Sequence, residues 1–123
     1  AVAAGSMRAQ APADGRRDVI DRAVLQQAMS ECASVVRDAA GLDRLRDILA
    51  SGRAVEPRNR RGFEDAALTA TARAVVAAAQ ARTESRGCHH RADHPETDPA
   101  REHSLTVRNT DGRVAVETPT AVC

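Results

Sequence analysis

Apolar positions recur at helical spacing three times along the chain, and each recurrence predicts one helix. Ile20, Val24, Leu25, Ala28, Met29 and Cys32 make a stripe along one face of a first helix. Asp18 is expected to open that helix as an acidic cap, with Asp21 three residues on. Val35-Val36-Arg37-Asp38-Ala39-Ala40-Gly41-Leu42 follows, and Gly41 predicts a break or sharp bend. Leu42, Leu45, Ile48 and Leu49 then repeat until Ser51-Gly52 ends a short second helix. The longest helix is expected over residues 63–86. Glu64 and Asp65 suit its N-terminus, and Leu68, Ala72, Val75, Val76 and Ala79 form its buried stripe. Its alanine content favours a helix strongly.

Beyond residue 103 the period changes from helical to alternating. Leu105, Val107, Val114 and Val116 alternate with polar residues across Asn109-Thr110-Asp111-Gly112, which predicts a hairpin. A two-stranded ribbon is marginal alone, so it must lean on the helices or on another domain. Residues 1–17 are small and Ala/Gly-rich with Pro12, and predict a mobile tail or linker. Residues 52–62, with Pro57 and the arginines Arg58, Arg60 and Arg61, predict a solvated loop. The expected fold class is mainly α: a spectrin-repeat-like three-helix bundle over residues 18–103, with a small C-terminal β-hairpin and tail over residues 104–123.

Composition narrows this picture. The 123 residues make one domain and carry a single aromatic residue, Phe63. A core of alanine, valine and leucine buries little area per residue, so a neighbouring surface is expected to supply part of the stability. The net charge of +1 implies no strong field for nucleic acid or anionic membrane. All 18 basic residues are arginine. Cys32, Cys88 and Cys123 are odd in number and not closely paired, which suits free thiols in a reducing, cytoplasmic setting. No apolar run approaches the ~20 residues of a membrane span.

The densest chemistry lies in Thr83-Glu84-Ser85-Arg86-Gly87-Cys88-His89-His90-Arg91-Ala92-Asp93-His94-Pro95. Gly87 is expected to cap the third helix in the left-handed conformation, with Arg82 and Arg86 in its last turn. Cys88, His89, His90 and His94 are candidate zinc ligands by residue type. A closed site, however, needs four converging ligands, and no C-x-x-C pair supports them. Cys88 beside His89 and His90 is a candidate nucleophile pair, but no third group to orient it is identified. A structural role accounts best for the mixed charge. Glu84, Arg86, Arg91 and Asp93 can pair as ions and fix a polar loop, because guanidinium groups grip carboxylates and carbonyls bidentately.

These residues also carry a family resemblance. Glu84 to Pro95 resembles the E-S-R-G-A-H-x-R-x-D-x-P signature of the C-terminal helical domain of L-aspartate oxidases and of succinate dehydrogenase/fumarate reductase flavoprotein subunits. Glu84, Ser85, Arg86, Gly87, His89, Arg91, Asp93 and Pro95 match, while Cys88 stands in place of the usual alanine. The leucine/methionine helix, the Val35-Val36-Arg37 run and the Gly41-Leu42 helix start resemble the same family, in which Ala67 is usually an asparagine. The resemblance implies the last part of a larger FAD enzyme. That enzyme would oxidise L-aspartate to iminoaspartate for quinolinate and NAD synthesis, with oxygen or fumarate as acceptor. The partners implied are its upstream FAD-binding and capping domains, with no nucleic acid and no membrane.

No G-x-G-x-x-G follows a strand here, so the FAD pyrophosphate is expected to lie upstream and the fragment to be inactive alone, with no catalytic, cofactor or metal residue of its own. Glu84, Ser85, Arg86, His89, Arg91 and Asp93 are the expected interdomain docking residues. Aspartate oxidase is preferred because the dehydrogenase-type subunits continue past the hairpin into a P-x-x-R-x-Y tail. The alternatives are a succinate dehydrogenase/fumarate reductase C-terminal domain, or an independent helical interaction module reading nucleic acid through Arg58, Arg60 and Arg61.

Overall fold

The computed structural model describes residues 15–110 and 112–118. Three helices and several very short strands make a mainly α fold. The order is β1 (Arg17–Val19), α1 (Arg22–Cys32), β2 (Val36–Arg37), α2 (Ala39–Ala50), β3 (Arg53–Val55), α3 (Arg60–Ala81) and β4 (His90–Arg91). A 3-10 turn (Pro99–Arg101) and the strands β5 (Thr106–Thr110) and β6 (Arg113–Glu117) complete it. The expected tail over residues 1–17 lies mostly outside the described residues, and Arg17 is already in β1. Cys123 and the end of the chain also lie outside them.

Each helix begins on a side-chain cap that accepts an otherwise orphaned backbone N–H. Asp21 Oδ2 accepts from Val24 N (3.2 Å), Asp38 Oδ1 from Gly41 N (2.7 Å) and Asn59 Oδ1 from Gly62 N (2.8 Å). The first helix therefore starts at Asp21 and not at Asp18. Asp18 sits in β1, where its carboxylate accepts from Arg73 Nη1 at 2.8 Å. Gly41 does not break the second helix. It lies in the first turn, where an added Cβ would stand 3.1 Å from Asp38 Oδ1 and 3.5 Å from Cys32 Cβ. The glycine there lets α2 close tightly on the end of α1.

Leu25, Ala28 and Cys32 of α1, Leu45 and Leu49 of α2, and Ala72 and Val76 of α3 enclose the core with Ile20. Leu42 and Leu45 are fully buried. Each such leucine contributes about 1.5–3 kcal/mol by leaving water. The buried stripe of α3 is rotated from the expected one. Ala66, Thr69, Ala72, Val76 and Ala79 face inward, whereas Leu68 and Val75 are exposed, as Val24 is on α1. An alanine-rich helix has little apolar contrast between its sides, so polar anchors set the rotation. Thr69 Oγ1 accepts from Ile20 N (3.1 Å), and Arg73 Nη2 donates to Leu49 O at the end of α2 (2.6 Å).

Two short pairings tie the helix connections together. β1 and β3 pair antiparallel, so residues 52–62 are not wholly loop. β2 and β4 pair in parallel, Val36 opposite His90 and Arg37 opposite Arg91. β5 and β6 form an antiparallel ribbon that packs on α3. Asn109 Oδ1 accepts from Gly112 N (3.1 Å) in its turn, of which Asp111 lies outside the described residues.

Candidate functional site

The third helix stops at Ala81, five residues short of the expected end. What stops it is a guanidinium supplied from farther along the chain. Arg91 Nη1 donates to Ala79 O at 3.0 Å, and to Gln80 O and Arg82 O at 3.4 Å. Positive charge on the last carbonyls of a helix satisfies them and complements its dipole. The other edge of Arg91 grips Asp93 bidentately, Nε to Oδ1 at 2.9 Å and Nη2 to Oδ2 at 2.8 Å. Arg91 is only 3% exposed. Its hydrogen bond, with the partial help of neighbouring charge, draws the Asp93 carboxyl down from its ordinary 3.8 to about 2, against the opposing effect of desolvation.

Glu84 is the second anchor and is fully buried. Its Oε1 accepts from Arg82 Nη1 (2.6 Å) and Arg86 Nε (3.0 Å), and its Oε2 from Arg86 Nη2 (3.3 Å) and Asp98 N (2.8 Å). Four donors on one carboxylate favour its charged form. The Arg86 hydrogen bonds lead, Asp98 N and Arg82 add to them, and together they overcome the desolvation that burial imposes. The result is a Glu84 carboxyl held at about 2 instead of 4.5. Both arginines reach on to carbonyls: Arg82 to Arg101 O (3.0 Å) and His103 O (2.6 Å), Arg86 to Asp98 O (3.0 Å). The segment after Pro95 is thereby folded back against the end of α3.

Ser85 closes the turn from inside. Its Oγ accepts from Arg91 N (2.9 Å) and donates to His94 O (2.7 Å), while its carbonyl accepts from Thr97 Oγ1. Gly87 does adopt a left-handed φ of +59°, but in the tight turn between Arg86 and His89 and not as a helix cap.

His89 joins this elbow to the α1–α2 connection. Nδ1 lies 3.0 Å from Arg37 Nη1, and Nε2 lies 3.0 Å from Arg82 O. A guanidinium only donates and a carbonyl only accepts, so the ring is neutral with its proton on Nε2. Burial lowers its pKa below 6.5, and the positive charges of Arg37, Arg91 and Arg82 add to that. With both nitrogens engaged, His89 has no lone pair for a metal. Among the described residues no three His, Cys, Asp or Glu side chains converge as a metal-binding group. Cys88 is exposed.

The six expected docking residues thus come together, but most of them face inward. Glu84, Ser85 and Arg91 are buried, Arg86 and His89 are half-buried, and Asp93 is exposed. Arg58, Arg60 and Arg61 are all exposed, with Arg60 Nε donating to Glu64 Oε1 at 2.9 Å. Arg37, Arg82, Thr97 and Asp98 belong to the same network. Arg37 stands in the run Val35-Val36-Arg37 and Arg82 in the expected last turn of the third helix, whereas nothing marks Thr97 or Asp98. Among the described residues no helix is long and apolar enough to cross a membrane.

Comparison with known proteins gives the following. The model of the fumarate reductase flavoprotein C-terminal family matches residues 52–121. The chain is 48% identical to the L-aspartate oxidase of Mycobacterium tuberculosis over 129 aligned positions, covering 100% of this chain and 24% of that protein. It is 52% identical to the L-aspartate oxidase of Mycobacterium leprae over 92 positions (75% of this chain, 18% of that one). With that of Rhodospirillum rubrum it is 45% identical over 85 positions (67% and 28%). The chain therefore spans about a quarter of the length of the curated relatives it matches. No solved structure matches it.

Proposed function

The chain belongs to the fumarate reductase flavoprotein C-terminal family, and from that premise we propose that it is the C-terminal helical domain of an FAD-dependent L-aspartate oxidase. The observation that carries this reading is the likeness to L-aspartate oxidases along the whole chain, at 48% identity. In such an enzyme L-aspartate loses a hydride from Cα to FAD held by the upstream domain, and the iminoaspartate formed feeds quinolinate and NAD synthesis in the cytoplasm. Oxygen or fumarate is the final acceptor. The FAD pyrophosphate is ordinarily held where a strand enters a helix through a glycine-rich turn, and this reading places that turn in the upstream domain.

The role of this chain is then positional. Glu84, Ser85, Arg86, His89, Arg91 and Asp93 hold an elbow that docks on the upstream FAD-binding and capping domains. Because its buried charges are already paired within the chain, the elbow keeps its shape before it meets a partner. That lowers the ordering cost of docking.

Anaerobic mixing of the full-length protein with substrate tests the reading. L-aspartate should bleach the flavin and succinate should not, while the excised chain should be colourless and inactive. A full-length protein without flavin, or one bleached by succinate alone, overturns it. The second outcome would favour the C-terminal domain of a succinate dehydrogenase or fumarate reductase flavoprotein subunit, a reading that the family model itself supports.

A further inference from the structure

The outward sides of the three helices differ in kind. α1 shows solvent Gln26, Gln27, Ser30 and Glu31, with Ala23 and Val24 at its start, and α2 shows Asp43, Arg44, Arg46 and Asp47. α3 shows Phe63, Ala67, Leu68, Ala70, Thr71 and Val75, every one of them exposed. At 100° per residue these six fall within an arc of about 160°. Phe63 is 52% exposed, Leu68 39% and Val75 37%. Between Asp65 and Ala81 the one charged residue is Arg73, and it turns the other way, onto Asp18 and Leu49 O. The ribbon occupies that other flank too, where Val114 and Gly112 face Arg73, Val76, Ala77 and Gln80 across an open cleft of about 400 Å³.

We propose that this outer face of α3 is a second docking surface, occupied by the upstream flavin-carrying body of the same polypeptide. The proposal rests on the reading of the chain as the C-terminal domain of a longer flavoprotein. From Ala67 to Val75 the exposed side of α3 carries no charge and one hydroxyl, Thr71, whereas a helix side that stays in water is ordinarily charged or polar. Arg60, Arg61 and Glu64 give the face a charged border at its start, the arrangement of an apolar interface centre with a polar rim. The relatives carry about three-quarters of their length outside the region this chain matches, so a large body has to be accommodated. Glu84, Ser85 and Arg91, sealed within the elbow, offer it little accessible surface. A covalently joined body meets α3 at an effective concentration of order millimolar, which a second copy does not match.

Thiol labelling of the full-length protein tests this, in a Cys88→Ser, Cys123→Ser background where Cys32 is buried. Ala67→Cys and Thr71→Cys should react with a maleimide about tenfold or more slowly than Ser30→Cys on the polar side of α1, because a covered thiol reacts only on local opening. The protection should not change on dilution. Labelling of both at the Ser30→Cys rate overturns the surface, and protection lost on dilution overturns the occupant in favour of a second copy. Flavin absorbance and aspartate turnover of the same samples separate the two readings. Free labelling in a yellow, aspartate-oxidising enzyme removes only the α3 surface. Protection in a protein without flavin removes the flavin-carrying occupant along with the functional reading.

Discussion

Leu45 in α2 and Glu84 in the elbow are both fully buried, yet different forces keep each out of water. Around Leu45 the packing is apolar and non-directional, so side chains of similar volume serve nearly as well. Around Glu84 four donors converge on two oxygens, and each must arrive at hydrogen-bonding distance and angle. A buried charge whose partner is removed faces its whole desolvation penalty. The helical half should therefore respond to lost volume, and the elbow to lost geometry.

The largest expected effect lies where the two regions meet. Arg91→Ala removes five side-chain hydrogen bonds and leaves the end of α3 and Asp93 without their donor. Urea unfolding of the chain should show a loss of about 3–5 kcal/mol. Arg91→Lys should recover little, since an ammonium lacks the planar fork that reaches carboxylate and carbonyls together. A lysine variant as stable as the parent would mean that charge suffices and geometry does not matter. On the apolar side, Leu45→Ala should cost about 2–5 kcal/mol, and Leu45→Met less than about 1.5 kcal/mol. If methionine proves as damaging as alanine, the core is as shape-dependent as the elbow and the contrast fails.

The same contrast explains what was legible in the sequence. Leu25, Ala28 and Cys32, then Leu42, Leu45 and Leu49, stand at helical spacing, and the core follows from them. The elbow was located by its signature residues, but not their partners. Arg82 and Arg86 read as last-turn cations of a longer helix, because nothing local says that Arg91 will return to cap Ala79. β1, β2 and β3 are two or three residues long, too short for any alternation to show. On α3, alanine makes the two flanks look alike, so the pattern points Leu68 and Val75 inward, whereas Thr69 and Arg73 fix the rotation. In the isolated chain, polar contacts settled what apolar pattern left open.

Acid separates the two regions next. Glu84 and Asp93 have folded pKa values of about 2, below their ordinary 4.5 and 3.8. A depressed carboxyl gives stability that is whole above its unfolded value and lost as pH falls toward the folded one. His89 is depressed too, below 6.5, so the unfolded chain binds its proton first. The His89 contribution is whole above about 6.5 and declines below that, because a protonated ring would turn an N–H toward Arg37. The urea midpoint should thus fall in two steps on acidification. His89→Gln should flatten the upper step, and Glu84→Gln together with Asp93→Asn the lower. Leu45→Ala should lower the whole curve without changing either step, and a step that survives its own substitution would detach that pH range from the elbow.

The smallest expected effect is at Gly87, where space and geometry can be told apart. An added Cβ would find no heavy atom within 4 Å, so a volume criterion predicts no change on Gly87→Ala. The backbone there holds φ at +59°, a left-handed conformation that costs an L-residue with a Cβ about 1–2 kcal/mol. Asparagine enters that region more readily than alanine. Gly87→Ala should therefore lower the urea midpoint, and Gly87→Asn should lower it less. Equal losses for the two would point to crowding instead, and no loss from either would show that the turn relaxes without disturbing Arg86 and His89 on its flanks.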